Sequence, residues 1–399
     1  MAPARSEQTW LGNLRGFITL LVVLHHAVIA YTPFAPPPAP SLAAAPWWRA
    51  FPVFDSSRAD VFGTVIAFND TYFMALMFFI SGLFVWRSLD RKGAAGFLRD
   101  RALRLGVPLA LSILVLAPLA YVPSWLQTGG GWHPIAFARQ WIALDNTPAG
   151  PAWFLWVLLA FDLVVAGVHA LAAGRGAGRS WAPKHMVAGF ALLVAASFAA
   201  YIPMVGAFGE LAWDGVGPLV VQTSRIFHYA VYFGFGVLAG ASLESSFVAR
   251  FAERKRAWIG WVALAAAAFY LVLDRGGAAM AGGSLLQARA AFVLSCAASS
   301  FALLALFGRF ARRDSPLWAS LRASAYGIYL VHYAIVSWLA YALSDVALPA
   351  LVKGPAVTLG AIALSWSLVA GARAIRTSTT ASPRAYAPPG PSGSPATPS

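Results

Sequence analysis

Charge is scarce in this chain of 399 residues: Asp, Glu, Lys and Arg together make up only 11% of it, with 15 acids against 29 bases. So little charge cannot cover the surface of a water-soluble body of this length. Cysteine is nearly absent as well. The single Cys296 excludes an intrachain disulfide, so thiols carry no information about compartment. HExxH, paired cysteines and acids at ligand spacing are all missing, which predicts that no metal is bound. GxSxG and a P-loop are missing too, which argues against a lipase-type serine enzyme and a nucleotide-driven pump.

What the chain has instead is apolar sequence, 59% of it, in blocks of about 20 residues, the length that crosses about 30 Å of hydrocarbon. Ten spans are predicted, at roughly 14–32, 68–86, 107–126, 152–172, 186–204, 226–246, 257–273, 290–308, 324–344 and 355–372. The expected fold is all-α, a polytopic membrane helix bundle. Of the 29 Lys and Arg, 22 fall on the side that holds both termini and 7 on the other. That asymmetry is the positive-inside rule, so both termini are expected in the cytoplasm. The net charge of +14 is then topology, and nucleic acid is not expected as a partner. Residues 1–376 read as one membrane domain, and 377–399, rich in Ser, Pro and Thr, as a disordered tail. Gly236 and Gly240 in GFGVLAG follow no strand and read as a helix-packing contact, as does Gly82 in SGL.

The first span, LRGFITLLVVLHHAVIAY, carries ionisable groups where hydrocarbon makes them expensive. Arg15 and His26 are eleven residues apart, about 20° past three full helical turns and about 16 Å along the axis, so they share one face. His25 lies about 80° away from that stripe. A cation at the inner mouth and a proton acceptor in the outer half suit a reaction path across the membrane. The same residues are explained equally well by Arg15 reaching headgroups and the histidines bonding neighbouring helices. After the second span, Phe97-Leu98-x-x-Arg101-x-x-Arg104-Leu105-x-x-Pro108 forms a basic helical face. Guanidiniums one turn apart can grip phosphate bidentately. Headgroup binding and topology are the other account of that face.

Arg15 with His26, FFISG at 78–82, the FLxxRxxRLxxP run, WFLWVLL at 153–159 and YGIYLVH at 326–332, taken in order, resemble the acyltransferase-3 family. These are ten-helix membrane enzymes of O-acyl transfer, including carbohydrate acylation. The resemblance covers about residues 10 to 345. It implies acyl-CoA, in the first instance acetyl-CoA, as co-substrate on the cytoplasmic side, with no resident cofactor. It also implies an acceptor hydroxyl outside, on a glycan, and a multi-pass place in the bacterial inner membrane. The family's essential Arg and His fall on Arg15 and His26.

Under that reading Arg15, Arg101 and Arg104 hold the donor's phosphates and His26 is the general base, since neutral imidazole deprotonates hydroxyls near pH 7. Asp70 is a candidate to orient His26 and Asn69 to bind the acceptor; a helix cap at the outer end of span two explains Asp70 as well. Trp153 can stack on a sugar or belong to the interfacial aromatic belt. Tyr329 and His332, one turn apart, line a pore or pack between helices. Asp162, mid-span, requires a partner, and either function or structural pairing supplies one. Arg225 and His228 suit acceptor binding and interface anchoring equally. A secondary transporter or exporter of a small acylated compound is the alternative function, although no inverted repeat is visible. A scaffold without turnover ranks last, because the sequence offers no interaction module.

Overall fold

The computed structural model describes residues 3–44, 51–172, 185–241, 247–254 and 256–380. Helix α1 (Pro3–Val28) is followed by α2 (Asp60–Gly82), α3 (Val85–Arg101), α4 (Val107–Leu111), α5 (Ala117–Gln127) and α6 (Pro134–Ile142). Then come α7 (Trp153–Ala172), α8 (Met186–Phe208), the hairpin β1 (Trp213–Val216) and β2 (Leu219–Gln222), and α9 (Ile226–Ala241). The series closes with α10 (Ala249–Glu253), α11 (Ala257–Met280), α12 (Leu285–Phe310), α13 (Pro316–Ser344) and α14 (Ala350–Thr380). Nine helical segments among the described residues are long and apolar enough to cross a membrane. Helix α9, with 16 residues, is the shorter tenth member of the expected series. The chain is a multi-pass helical membrane protein.

Helices α1, α2 and α12 occupy the centre and bury most of their apolar windows, whereas α11 lies almost wholly on the periphery. Helix α1 packs on α2, α12, α13 and α14, so four helices surround it. Helices α2 and α9 cross at close range. A methyl group on Gly82 would strike the carbonyl of Phe233, one on Gly236 that of Phe79, and one on Gly240 that of Leu83. The small-residue contact expected from GFGVLAG and SGL is therefore present, and it is a backbone-to-backbone approach that tolerates no side chain. Gly236→Val is expected to force the two helices apart and cost about 3 kcal/mol, at the upper end of overpacking. A lower thermal midpoint of detergent-solubilised protein would register it.

Three boundaries differ from the sequence reading. Helix α2 begins at Asp60, not near residue 68, with Ala59 as its N-cap. Asp70 therefore sits in the body of the helix, and the expected cap role is corrected. Residues 85–127 form one helical path kinked at Gly93 (φ 69°), in which π-helical segments at Ala102–Gly106 and Ser112–Leu116 separate α3, α4 and α5. Arg104 lies in the first π segment, so the basic face is not a regular α-helical one. Helix α14 runs on to Thr380, and the remainder of the predicted tail, 381–399, lies outside the described residues.

At the end of the bundle away from Arg15, the segment from Phe51 to Ala59 is pinned by polar contacts. Lys353 Nζ donates to both carboxylate oxygens of Asp55, at 3.1 and 2.8 Å, and to the Ser344 carbonyl at 3.3 Å. Both side chains of the pair are 1% exposed. Gln127 donates to the Phe54 carbonyl and accepts from the Phe54 N–H, each at 2.8 Å. Arg58 donates to the carbonyls of Ala30 and Ala35. These bonds anchor residues 51–59, which lead into α2, to the bundle at this end.

Candidate active site

Near its C-terminal end α1 presents His26 to a pocket of about 60 Å³. Tyr121 of α5, Trp153 of α7, Tyr333 of α13, Trp213 and Val220 of the hairpin, and the loop 148–151 supply the other walls. Trp153 and Trp213 meet edge to face, with centroids 5.8 Å apart at 87°. Trp156 Nε1 donates to the Val220 carbonyl at 3.1 Å and ties the hairpin to α7. Tyr333 stands edge-on to His26, with centroids 5.0 Å apart, and its hydroxyl is 3.3 Å from that of Tyr121.

Hydrogen bonds select the tautomer of His26. Its Nδ1 lies 2.9 Å from the Val22 carbonyl, which only accepts, so Nδ1 carries the proton. His332 Nδ1 lies 2.7 Å from the Tyr329 carbonyl and carries a proton for the same reason. In the neutral rings both Nε2 atoms hold lone pairs. His332 Nε2 faces His26 Nδ1 at 3.2 Å and shares its proton with Val22. Among the described residues no hydrogen bond is made to the Nε2 lone pair of half-buried His26, which belongs to a group on the pocket wall. A neutral histidine so held is ready to take a proton.

Toward the other end lies a cleft of about 370 Å³. Five cations line it, Arg87, Arg91 and Lys92 with Arg101 and Arg104, against a single lining acid, Asp100. Lys92 and Arg104 reach Asp100 at 2.7 and 3.0 Å. Arg101 Nε is 3.1 Å from the fully buried Asp162, and its guanidinium lies 4.9 Å above the Phe97 ring. A buried carboxylate needs such a counter-charge, so Asp162 is a structural partner that aims Arg101 at the cleft. Excess positive charge around an open cleft attracts polyanions.

Arg15 is exposed, and no carboxylate among the described residues pairs with it. The residues between it and His26 on the shared stripe, Thr19 and Val22, are both 3% exposed. Between Arg15 and His26 the stripe therefore turns inward. Leu11, one turn before Arg15, lines the basic cleft. Cleft and pocket share no lining residue.

The other expected site residues separate. Trp153 lines the pocket with His26. Tyr329 donates to the Pro151 carbonyl and lines a smaller adjoining pocket, and His332 stands behind His26 rather than on the pocket wall. Asp70 turns to Arg225, whose NH2 reaches Asp70 Oδ2 at 2.7 Å. Asn69 is 3% exposed and accepts from the Tyr72 hydroxyl at 3.4 Å. Neither Asn69 nor Asp70 lines the pocket. His228 is fully inside, between Ser197 (2.6 Å) and Cys296 (3.4 Å). Sequence reasoning missed Trp213, Tyr121 and Tyr333. Gly217-Pro218 marks the hairpin turn, but nothing local in the sequence says that the hairpin lies over His26.

A family model described as an acyltransferase domain matches residues 8–370. No curated protein and no solved structure matches the chain.

Proposed function

We propose, from the premise that this chain belongs to the acyltransferase-3 family and is a membrane acyltransferase, that it moves an acyl group from acyl-CoA to an acceptor hydroxyl. The donor enters from the cytoplasm through the basic cleft, and the acceptor, a carbohydrate, approaches from the opposite side of the cell inner membrane. Both termini are cytoplasmic in this reading. Its basis is the positive-inside distribution of Lys and Arg.

The observation that carries the proposal is the pairing of His26, on the wall of an aromatic pocket, with a cluster of five cations at the other end of the bundle. The diphosphate and the 3′-phosphate of CoA bind Arg87, Arg91, Lys92, Arg101 and Arg104, with Arg15 further along the donor's path. The pantetheine arm extends from there toward His26. Trp153 and Trp213 hold the acceptor by stacking on a sugar face. His26 Nε2 takes the hydroxyl proton as the oxygen attacks the thioester carbonyl. The C–S bond then breaks, and the proton passes from His26 to the departing CoA thiolate. The products are an ester and CoA-SH, so His26 returns to its neutral form.

Protein in sealed vesicles, given labelled acetyl-CoA on one side and envelope glycans on the other, is expected to yield acetylated glycan and free CoA thiol. Glycan transport without thiol release would refute the proposal. A second expected result concerns the cleft. The double variant Arg87→Gln/Arg91→Gln raises KM for acetyl-CoA about tenfold, the effect of about 1.4 kcal/mol from lost charge-assisted contacts, with kcat little changed. Dephospho-acetyl-CoA should lose affinity with the parent protein in the same way. Initial-rate kinetics against both donors measures this.

A further inference from the structure

The geometry points to His332 as the positioning residue of this reaction, an uncharged imidazole acting as the orienting partner of the base. The inference rests on the reading of His26 as the proton acceptor. An orienting group must accept from the base's second nitrogen, be fixed itself, and be shielded from water. His332 meets all three conditions. Its Nε2 lies 3.2 Å from His26 Nδ1, its own Nδ1 is held by the Tyr329 carbonyl at 2.7 Å, and it is 0% exposed. Tyr329 is fixed in turn by donating to the Pro151 carbonyl in the loop that walls the pocket. The chain of contacts thus runs from pocket rim to base through α13.

The Val22 carbonyl alone would set the His26 tautomer, but it belongs to the same helix and lies one turn away. It cannot fix His26 relative to the rest of the site. His332 supplies that second point from a different helix, with ring centroids 5.2 Å apart. When His26 takes the acceptor's proton at Nε2, its Nδ1–H remains directed at the His332 lone pair. The dipole of that lone pair stabilises the imidazolium until the proton leaves with the CoA thiolate. His332 neither gains nor loses a proton in the cycle, and it touches no reacting atom.

Two near-isosteric variants separate this role from helix packing. His332→Gln keeps an oxygen acceptor where Nε2 stood, facing His26. His332→Asn keeps a donor where Nδ1 stood, toward Tyr329, and loses the acceptor. The assay uses the full chain returned to cells lacking it, with acetylated envelope glycan and thiol release per folded protein as readouts and acetyl-CoA as the donor. The expected result is a kcat reduced about 10–100-fold in His332→Asn, the size usual for loss of an outer-shell partner. Both KM values stay within about twofold, and His332→Gln recovers most of the rate. Equal rates in the Asn and Gln variants, or a His332→Asn variant as active as the parent, overturn the inference. His26→Ala, run alongside, tests the underlying reading: full turnover there removes the base itself, whereas an inactive His26→Ala with insensitive His332 variants removes only the positioning role.

Discussion

His26→Ala lowers acyl transfer by about 10²–10⁴-fold, the contribution usual for a positioned general base, and leaves a folded protein in the membrane. The side chain is half-buried on a pocket wall, so its removal enlarges a space that already exists and does not open a void in close-packed core. The Nδ1 proton lost is shared by the Val22 carbonyl, which remains inside an intact helix, and by His332 Nε2, whose own Nδ1 stays held by the Tyr329 carbonyl. On the proposed reading donor affinity depends on the cleft, with which the pocket shares no residue, so KM for acetyl-CoA is expected to stay near its parent value. The loss falls on kcat. His26→Gln recovers little, because an amide positions atoms but does not take up a proton near neutral pH. Initial rates at saturating acetyl-CoA, normalised to protein extracted in folded form, provide the measurement. A parent-like kcat in His26→Ala would remove the catalytic reading.

The second large effect is on stability. Lys353→Ala leaves the Asp55 carboxylate without its ammonium in a place where both were 1% exposed, and the expected cost is about 3–5 kcal/mol. The reverse single change, Asp55→Ala, strands the ammonium and costs a similar amount. The double change Lys353→Met/Asp55→Leu, which keeps volume and removes both charges, should restore most of the loss, since a buried pair is weak support by comparison with apolar packing. Thermal unfolding in detergent ranks the four proteins. Because the pair anchors the segment that leads into α2, the single variants should also lose activity in proportion to folded protein and no more. A single variant as stable as the parent would mean that the pair is solvated.

Several parts of this molecule were legible in the sequence for one physical reason: periodicity and length are local properties. Twenty apolar residues announce a span, and the 3.6-residue repeat put Arg15 and His26 on one face, along which Thr19 and Val22 are buried. The small-residue spacing at Gly236 and Gly240 announced a close crossing. Charge partners were not legible. Asp70 looks to Arg225, 155 positions on, and Asp162 to Arg101 from a different helix. Only the fold decides such pairs. The early start of α2 was hidden because residues 60–67 begin with an acid and mix Gly and Thr into the apolar pattern. The hairpin escaped notice because two strands of four residues leave almost no trace in an otherwise helical chain.

The two π-helical segments flanking α4 have a consequence for how this stretch of chain can vary. A π turn holds one residue more than an α turn, so between Arg101 and Tyr121 the helix carries two surplus positions. Each surplus residue shifts the helical pattern of the sequence beyond it by about 100°. The pair therefore acts as a vernier between the basic end and the aromatic end of one rod. Deleting a single surface residue, such as Leu103 (59% exposed), would turn a π turn into an α turn. Because that removes the surplus residue itself, the helical faces on either side keep their places, whereas a deletion within α4, which holds no surplus, would swing the cations by about 100° from their cleft.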